Sequence, residues 1–261
     1  MAIQSPTLNV MRAAAEKAGR ALRRDFGEVE KLQVSQKGPG DFVTNADLKA
    51  ESIIREELQN ARPGYGLLME ESGEIEGPDK THRWIVDPLD GTTNFMHGIP
   101  HFAISIALER EGKLVAGLIY NPVTDEIFLA ERGQGAFAHN TRLRVGGRTR
   151  MSDAVFACGA PHGEREGRPE FIQEMDTLLP KVAGIRRFGA AALDLAYVAA
   201  GRVDGFWERG LAPWDMAAGI IIVREAGGLV SDAKNGSKYF ETGTVVAANE
   251  ALHGDLLKSL P

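Results

Sequence analysis

The sequence predicts a layered α/β protein of two halves, residues 1–147 and 148–261, with an antiparallel sheet in the first and a mixed sheet in the second. Three observations predict it. Helical stretches open the chain, long strands with tight turns run on from residue 101, and after "GGRTRMSD" strands and helices alternate. Strands joined by short turns pair antiparallel, whereas strands separated by helices build a sheet that the helices cover. Nothing near residue 147 reads as a flexible linker, so the halves are expected to pack closely.

Taken in order, Ser5 caps a first helix with Pro6 at its first position. Leu8, Met11, Ala15, Ala18, Leu22 and Phe26 give that helix an apolar stripe near helical period. The glycine-rich "QKGPGDFV" breaks the pattern before "TNADLKAESIIREELQN", a second helix. Strands follow at "YGLLM" and "WIVD". Longer ones come next, "HFAISIALER", "KLVAGLIYNP", "EIFLAERGQGAFAH" and "RLRV", with Glu-Gly, Asn-Pro and Gly-Gln-Gly turns. The second half reads as strand "AVFACGA", helix "PEFIQEMDTLLPKV", strand "GIRRF" and helix "AALDLAYVAAGRV". Strand "GFWE", helix "PWDMAAGIIIVREAGG", strands "LVSD" and "TVVAAN" and a closing helix complete it.

At 261 residues, 43% hydrophobic and 25% charged, the chain belongs among soluble globular proteins. A net charge of −6 argues against broad nucleic-acid binding, and any anionic substrate needs local positive charge. The lone Cys158 cannot form an intrachain disulfide and reads as a small buried hydrophobe, compatible with a reducing compartment. The N-terminus lacks the apolar core of a signal peptide, and the longest apolar stretch, "MAAGIIIV", is too short to span a bilayer. The expected setting is cytoplasmic, with no membrane partner.

The acids fall at the exits of buried elements, where α/β folds assemble ligand sites. Glu70 and Glu71 follow "YGLLM", Asp87 ends "WIVD" with Asp90 a turn later, and Asp215 sits in the first turn of an apolar helix. Each alone has a structural reading: Asp215 favours a helix N-terminus, Asp87 forms a turn before Pro88, and Glu70 and Glu71 are loop charges. Their joint placement points to a site. Converged, Glu70, Asp87, Asp90 and Asp215 would repel one another unless protons, basic side chains or a hard cation compensated. Carboxylates without His or Cys suit Mg²⁺ or Mn²⁺ better than zinc. Two such ions roughly 3.5–4 Å apart clamp an in-line displacement at phosphorus. Gly91, Thr92 and Thr93 offer amide N–H groups to a phosphate as a helical turn opens. The Thr92 hydroxyl is placed to orient a water, and the Leu89 carbonyl supplies one more oxygen.

In order and spacing, "EES" at 70–72, "DPLDGTTNF" at 87–95 and "WDMAAGIIIVREAGG" at 214–228 resemble the signatures of the inositol monophosphatase family, and the likeness covers nearly the whole chain. The stretch "RRFGAAALDLAYVAAGRVDGFWERGLAPWD" is most similar to its bacterial SuhB-type branch. The resemblance implies an alternating αβαβα sandwich of the inositol monophosphatase and sugar phosphatase type. It implies a cytoplasmic homodimer that hydrolyses small phosphate monoesters, inositol 1-phosphate first, with Mg²⁺, and that Li⁺ inhibits. By position, Glu70, Asp87 and the Leu89 carbonyl would hold one metal, and Asp87, Asp90 and Asp215 a second. Glu70 and Thr92 would position the attacking water, with Asp47 behind Thr92. The substrate would touch these ligands, its phosphate on the Gly91 and Thr92 amides. Its alcohol would meet Asp90, Gly189, Ala191, Glu208 and Arg186. Related families act on histidinol phosphate, fructose 1,6-bisphosphate or 3′-phosphonucleotides. SuhB-type proteins are also associated with the transcription machinery at ribosomal RNA operons, which makes a binding partner the reading from another class.

Several of these residues carry a second reading. Thr44 and Asp47 fit a capping box, so Asp47 is also a structural candidate. Glu71 stands behind the ligands or assists a weakly held third metal. Lys37 matches a family lysine near the metals, or is a solvated charge, and Arg186 reads equally as a surface charge on a strand. Ala190 stands where relatives often carry Ser or Thr, which weakens the inositol preference and not the hydrolysis. Pro100 between His97 and His101 rules out a helical zinc pair, and the basic "RLRVGGRTR" reads as a solvated face. No phosphate-binding G-x-x-x-x-G-K-[ST] loop, nucleophile elbow or dinucleotide fingerprint is present.

Overall fold

The computed structural model describes residues 5–26, 34–38, 41–163 and 166–261. Helix α1 (Pro6–Phe26) begins as expected, with the Leu8 amide donating to Ser5 Oγ at 3.1 Å. A separate ribbon of β1 (Val34–Gly38) and β2 (Asp41–Thr44) leads into α2 (Asn45–Ala61). Lys37 lies on β1, and its side chain falls outside what is described. Next come β3 (Tyr65–Met69), β4 (Gly73–Ile75), β5 (Asp79–Asp90) and the short helix α3 (Thr92–Met96). The meander β6 (Ala103–Arg110), β7 (Lys113–Asn121), β8 (Glu126–Glu131), β9 (Gly135–Ala138) and β10 (Thr141–Arg142) completes an eight-stranded sheet.

The second sheet gathers β11 (Val155–Cys158), β12 (Gly184–Arg186), β13 (Gly205–Arg209), β14 (Leu229–Ser231) and β15 (Thr244–Ala248) in the order β12-β11-β13-β15-β14. Between its strands run α4 (Arg168–Leu178), α5 (Ala191–Ala199), α6 (Pro213–Glu225) and α7 (Tyr239–Thr242), with α8 (Glu250–Leu257) closing the chain. This sheet is mixed as expected, since β11 pairs parallel with β12 and β13 while β15 pairs antiparallel with β13 and β14.

Strand alternation sorts the apolar side chains into layers. Trp84 and Val86 of β5 pack with Leu8, Met11 and Leu22 of α1 and Ile54 and Leu58 of α2. Their neighbour Ile85 faces the other way, into a core shared with Leu195 of α5, Ile220 and Ile222 of α6 and Phe206 of the second sheet. Beyond that sheet, Phe156, Cys158 and Trp207 pack on Leu178 of α4 and Leu252 and Leu256 of α8. The result is five layers, helix–sheet–helix–sheet–helix. Each fully buried Leu, Ile or Phe in them stabilises the fold by roughly 1.5–3 kcal/mol. Cys158 is buried, and no helix among the described residues is long and apolar enough to cross a membrane.

The first sheet departs from expectation in two places. β3 and β5 run parallel, because β4 doubles back on the outer flank of β3 and the chain returns along its inner flank. The expected strand "RLRV" shrinks to the two-residue β10, paired with β9 through Thr141 and Arg142. Beyond it the Leu143 and Val145 amides bond the carbonyls of Ala136 and Ala226, outside any strand register.

Candidate active site

Two strand ends and three helix starts meet at one cavity. Glu70 follows β3 directly, and its amide donates to the Val86 carbonyl at 3.2 Å, which sets it beside the end of β5. Both Asp87 and Asp90 belong to β5. In an unbroken strand, residues three apart face opposite sides. Here the register with β6 runs from Asp87↔Ser105 to Asp90↔Ala103, so β5 carries one extra residue. That bulge bends the strand and returns both acids to the same side. The Asp87 carboxylate turns back to accept the Leu89 amide at 2.9 Å.

Asp215 arrives from α6. Its Oδ2 accepts the Ala212 amide at 2.7 Å, capping the helix as its position suggested. Ser105, the register partner of Asp87, donates from Oγ to the Trp214 carbonyl at 3.1 Å, which docks the start of α6 against the Asp87 strand. Asp90 is held from a third element, since the Ala192 amide in the first turn of α5 donates to its Oδ2 at 2.7 Å. Glu70, Asp87, Leu89, Asp90 and Asp215 all line the cavity.

Electrostatics register the convergence. Burial, then the charges of Glu70, Asp90 and Asp215, push the Asp87 carboxyl well above the usual carboxylate range. Burial, then Asp215, does the same to Asp90, against the opposing pull of the Ala192 amide. Among the described residues no three His, Cys, Asp or Glu side chains are arranged to hold a metal ion as they stand. Asp87, Asp90 and Asp215 each turn an oxygen toward a backbone amide. The donor set nevertheless fits a hard cation. Its side chains offer carboxylate oxygen, a carboxylate has about four acceptor positions, and a cation would relieve the repulsion recorded at Asp87 and Asp90.

The turn after Asp90 forms another wall. Gly91 caps α3 with φ +91°, a left-handed conformation that suits glycine. A Cβ there would also press on the His101 carbonyl at 3.1 Å and on the Ala190 side chain at 3.2 Å. The Thr92 hydroxyl lies 3.1 Å from both Asp47 Oδ1 and the Leu89 carbonyl, so its one proton chooses between them. Asp47 also completes the expected capping box, with Thr44 donating its amide at 2.8 Å and its hydroxyl at 2.6 Å to Oδ2. Burial raises the Asp47 carboxyl, and these bonds oppose the rise.

The opposite wall contains Gly189, Ala191 and Glu208 from the second half of the chain. Arg186, expected beside them, is exposed and turns its guanidinium to the Ile185 carbonyl. Its neighbour Arg187 lines the cavity instead. Successive residues around an edge strand face opposite ways, so "GIRRF" delivers one arginine to the cavity and the other to solvent. Glu71 does not line the cavity; its amide donates to Glu51 at 2.8 Å. His162 does line it, from the segment after β11, where no motif in "GAPHGERE" marks it.

Comparison with known proteins covers the whole chain. Residues 3–261 match the model of the inositol monophosphatase family. An inositol-1-monophosphatase of Mesorhizobium japonicum is 60% identical over 98% of this chain and 97% of its own. The Nus factor SuhB of Escherichia coli is 46% identical over 94% of this chain and 91% of its own. The crystal structure of the extragenic suppressor protein SuhB from Bartonella henselae superposes with a TM-score of 0.96 at 58% identity, covering 98% of both chains. With its five layers, its acid-lined cavity and a family match from end to end, the chain belongs to the inositol monophosphatase family of phosphatases.

Proposed function

We propose that this chain hydrolyses inositol 1-phosphate to inositol and phosphate in a Mg²⁺-dependent reaction at the acid-lined cavity. The observation that carries the proposal is the joint exposure of Glu70, Asp87, Asp90 and Asp215 to a cavity whose walls are the Gly91–Thr92 turn and Gly189, Ala191 and Glu208. Glu70, Asp87 and the Leu89 carbonyl would hold one ion, and Asp87, Asp90 and Asp215 a second. Bound there, the ions would supply Lewis-acid polarisation of the phosphoryl oxygens and a nucleophile usable at neutral pH.

The side chains do the positioning. With its proton committed to Asp47 or Leu89, Thr92 Oγ would accept a hydrogen bond from a water, and Glu70 would accept a second. The Gly91 and Thr92 amides receive the phosphate. Glu208, with Asp90 and the Gly189–Ala191 backbone, meets the leaving alcohol. The name of the Mesorhizobium relative supports inositol 1-phosphate over histidinol phosphate, fructose 1,6-bisphosphate or a 3′-phosphonucleotide. The reading carries with it a homodimer in the cytoplasm. Phosphate release from a panel of these four esters tests it, with Mg²⁺, with chelator, and with added Li⁺. Turnover that needs Mg²⁺, falls with Li⁺ and is fastest on inositol 1-phosphate is expected. Turnover unchanged by chelation would remove the ions, and preference for another ester would remove the substrate.

The name Nus factor SuhB on the Escherichia coli relative favours a second reading, contact with the transcription machinery. Complementing a deletion strain with Asp90→Asn separates the two. Rescue by the inactive protein supports the contact, and failure by the folded variant supports catalysis.

A further inference from the structure

Asp194 is 1% exposed, yet neither of its carboxyl oxygens has a hydrogen-bond partner. Nε2 of His101 is buried and equally without one. The two face each other at 3.9 Å, just beyond a hydrogen bond. A buried polar atom left unpaired costs more than either a paired one or an apolar replacement. Two such groups side by side are therefore an unused bond.

The pair bridges a seam of the candidate active site. His101 precedes β6, and its carbonyl accepts Asn94 Nδ2 at 2.8 Å, while the same nitrogen lies 2.9 Å from the Phe188 carbonyl. Asp194 stands in the first turn of α5, where the Ala192 amide holds Asp90. The His101 ring stacks on Phe188 at 5.2 Å and meets the edge of Tyr197 at 5.7 Å. Burial lowers His101 to about 4. Asp194 is raised well above the carboxylate range, first by burial, then by Glu208 of β13 and Asp90 of β5, with Arg187 opposing. Both shifts favour the neutral forms, a carboxyl that donates and an imidazole that accepts.

We propose that Asp194 donates to His101 Nε2 in the working protein, a closure of about 1 Å, and that this bond is a positioning latch. It fixes α5 so that the Ala192 amide grips Asp90 and the Gly189–Ala191 wall faces the substrate. The consequence for turnover rests on the phosphatase reading above; the latch itself does not.

The test compares Asp194→Asn, Asp194→Leu and the double variant His101→Leu/Asp194→Leu. Hydrogen exchange of the Ala192 amide in metal-free protein, thermal unfolding and Mg²⁺-dependent phosphate release are measured on each. Asn keeps an N–H donor toward a neutral imidazole, so it retains slow exchange and turnover. Asp194→Leu exchanges faster and turns over roughly 10–100-fold more slowly, the penalty for misplacing a reacting group by a fraction of an ångström. The double variant, which leaves no polar atom orphaned, unfolds at or above the original temperature yet keeps the fast exchange and the slow turnover. It decides the matter even if Asp194→Leu fails to fold. Original exchange and turnover in the double variant would overturn the latch, and so would Asp194→Asn behaving like Asp194→Leu. If the unaltered protein releases no phosphate from any ester, the phosphatase reading fails while the exchange rates still decide the latch.

Discussion

Asp47 and Thr92, 45 residues apart, meet through a hydroxyl–carboxylate contact of 3.1 Å. Because Asp47 gives Oδ2 to the cap of α2 and Oδ1 to Thr92, one side chain ties a helix start to the turn that would receive phosphate. The structural and site readings of this residue are therefore compatible.

The two oxygens can be separated by Asp47→Asn. An asparagine that keeps its oxygen on the two Thr44 donors turns its NH₂ group toward Thr92, so the hydroxyl must accept there and give its proton to the Leu89 carbonyl, which leaves one lone pair fewer for a water. The melting temperature should stay near the original while turnover falls by about 100-fold, on the scale of a lost proton-handling group. Asp47→Ala should lose the same activity and also about 1 kcal/mol of stability with the cap. Thermal unfolding and phosphate-release assays on both variants check this, and full turnover in Asp47→Asn would leave the residue as a cap alone.

Metal-free stability should fall as pH rises. Asp87 and Asp90 have folded pKa values raised above the unfolded ones, so the native state holds protons that the unfolded chain has released. Stability then has a negative slope with pH, present in full below the unfolded carboxylate pKa and lost through the raised folded values. Buried Asp47 and Asp194 add the same sign, whereas His101 and His253, both lowered, act with the opposite sign below their ordinary range. The window opens above the ordinary carboxylate range of roughly pH 4, and the histidines oppose the slope only in its part below roughly pH 6.5. Melting temperatures in chelator should drop across it, and Mg²⁺ should flatten the drop by replacing protons at the cluster. Equal slopes with and without Mg²⁺ would contradict the cation site.

Asp90→Asn should keep the fold and lose the reaction. The amide removes one of the charges that repel Asp87, so in chelator the variant should melt no lower than the original. Turnover at saturating Mg²⁺ should fall by about 10²–10³-fold, the usual scale for one electrostatic group at a reacting centre. Wild-type turnover here would count heavily against the whole cluster.

What could be read in advance follows from how local each signal is. The Ser5 cap, the Thr44–Asp47 box and the strand "WIVD" depend on residues within one turn or one strand, so they were legible. The acids were legible for a related reason, since Glu70, Asp87 and Asp215 mark the ends of apolar runs. The parallel pairing of β3 with β5 depends on which flank of a sheet the chain returns to, which no local pattern encodes. The choice of Arg187 over Arg186 depends on the phase of a three-residue strand, too short to set it. His162 enters the cavity from an irregular segment, and its neighbours in sequence contain no trace of that.

Gly91→Ala should damage stability and activity together. The substitution puts a side chain at φ +91°, where an L-residue loses about 1–2 kcal/mol. Its methyl group would also meet the His101 and Gly189 carbonyls at 3.1 and 3.3 Å, both backbone atoms that cannot swing aside. The turn must open, moving Asp90 on one side and Thr92 on the other. A lowered melting temperature with a fall in kcat is the expected pair of readings.

Gly159→Ala tests the far wall with almost the opposite signature. Gly159 has no left-handed φ, so the backbone accepts alanine, but the new methyl would occupy the space of the Glu208 carboxylate. That carboxylate is the end of a flexible side chain and can move away at little cost to the fold. If Glu208 meets the leaving alcohol, its displacement weakens substrate binding while the acids around the phosphate stay in place. KM for inositol 1-phosphate should then rise several-fold with kcat and melting temperature nearly unchanged, the pattern of lost ground-state binding. A smaller ester that lacks the polyol hydroxyls should show no such rise. An equal rise in KM for both esters would move Glu208 out of alcohol recognition.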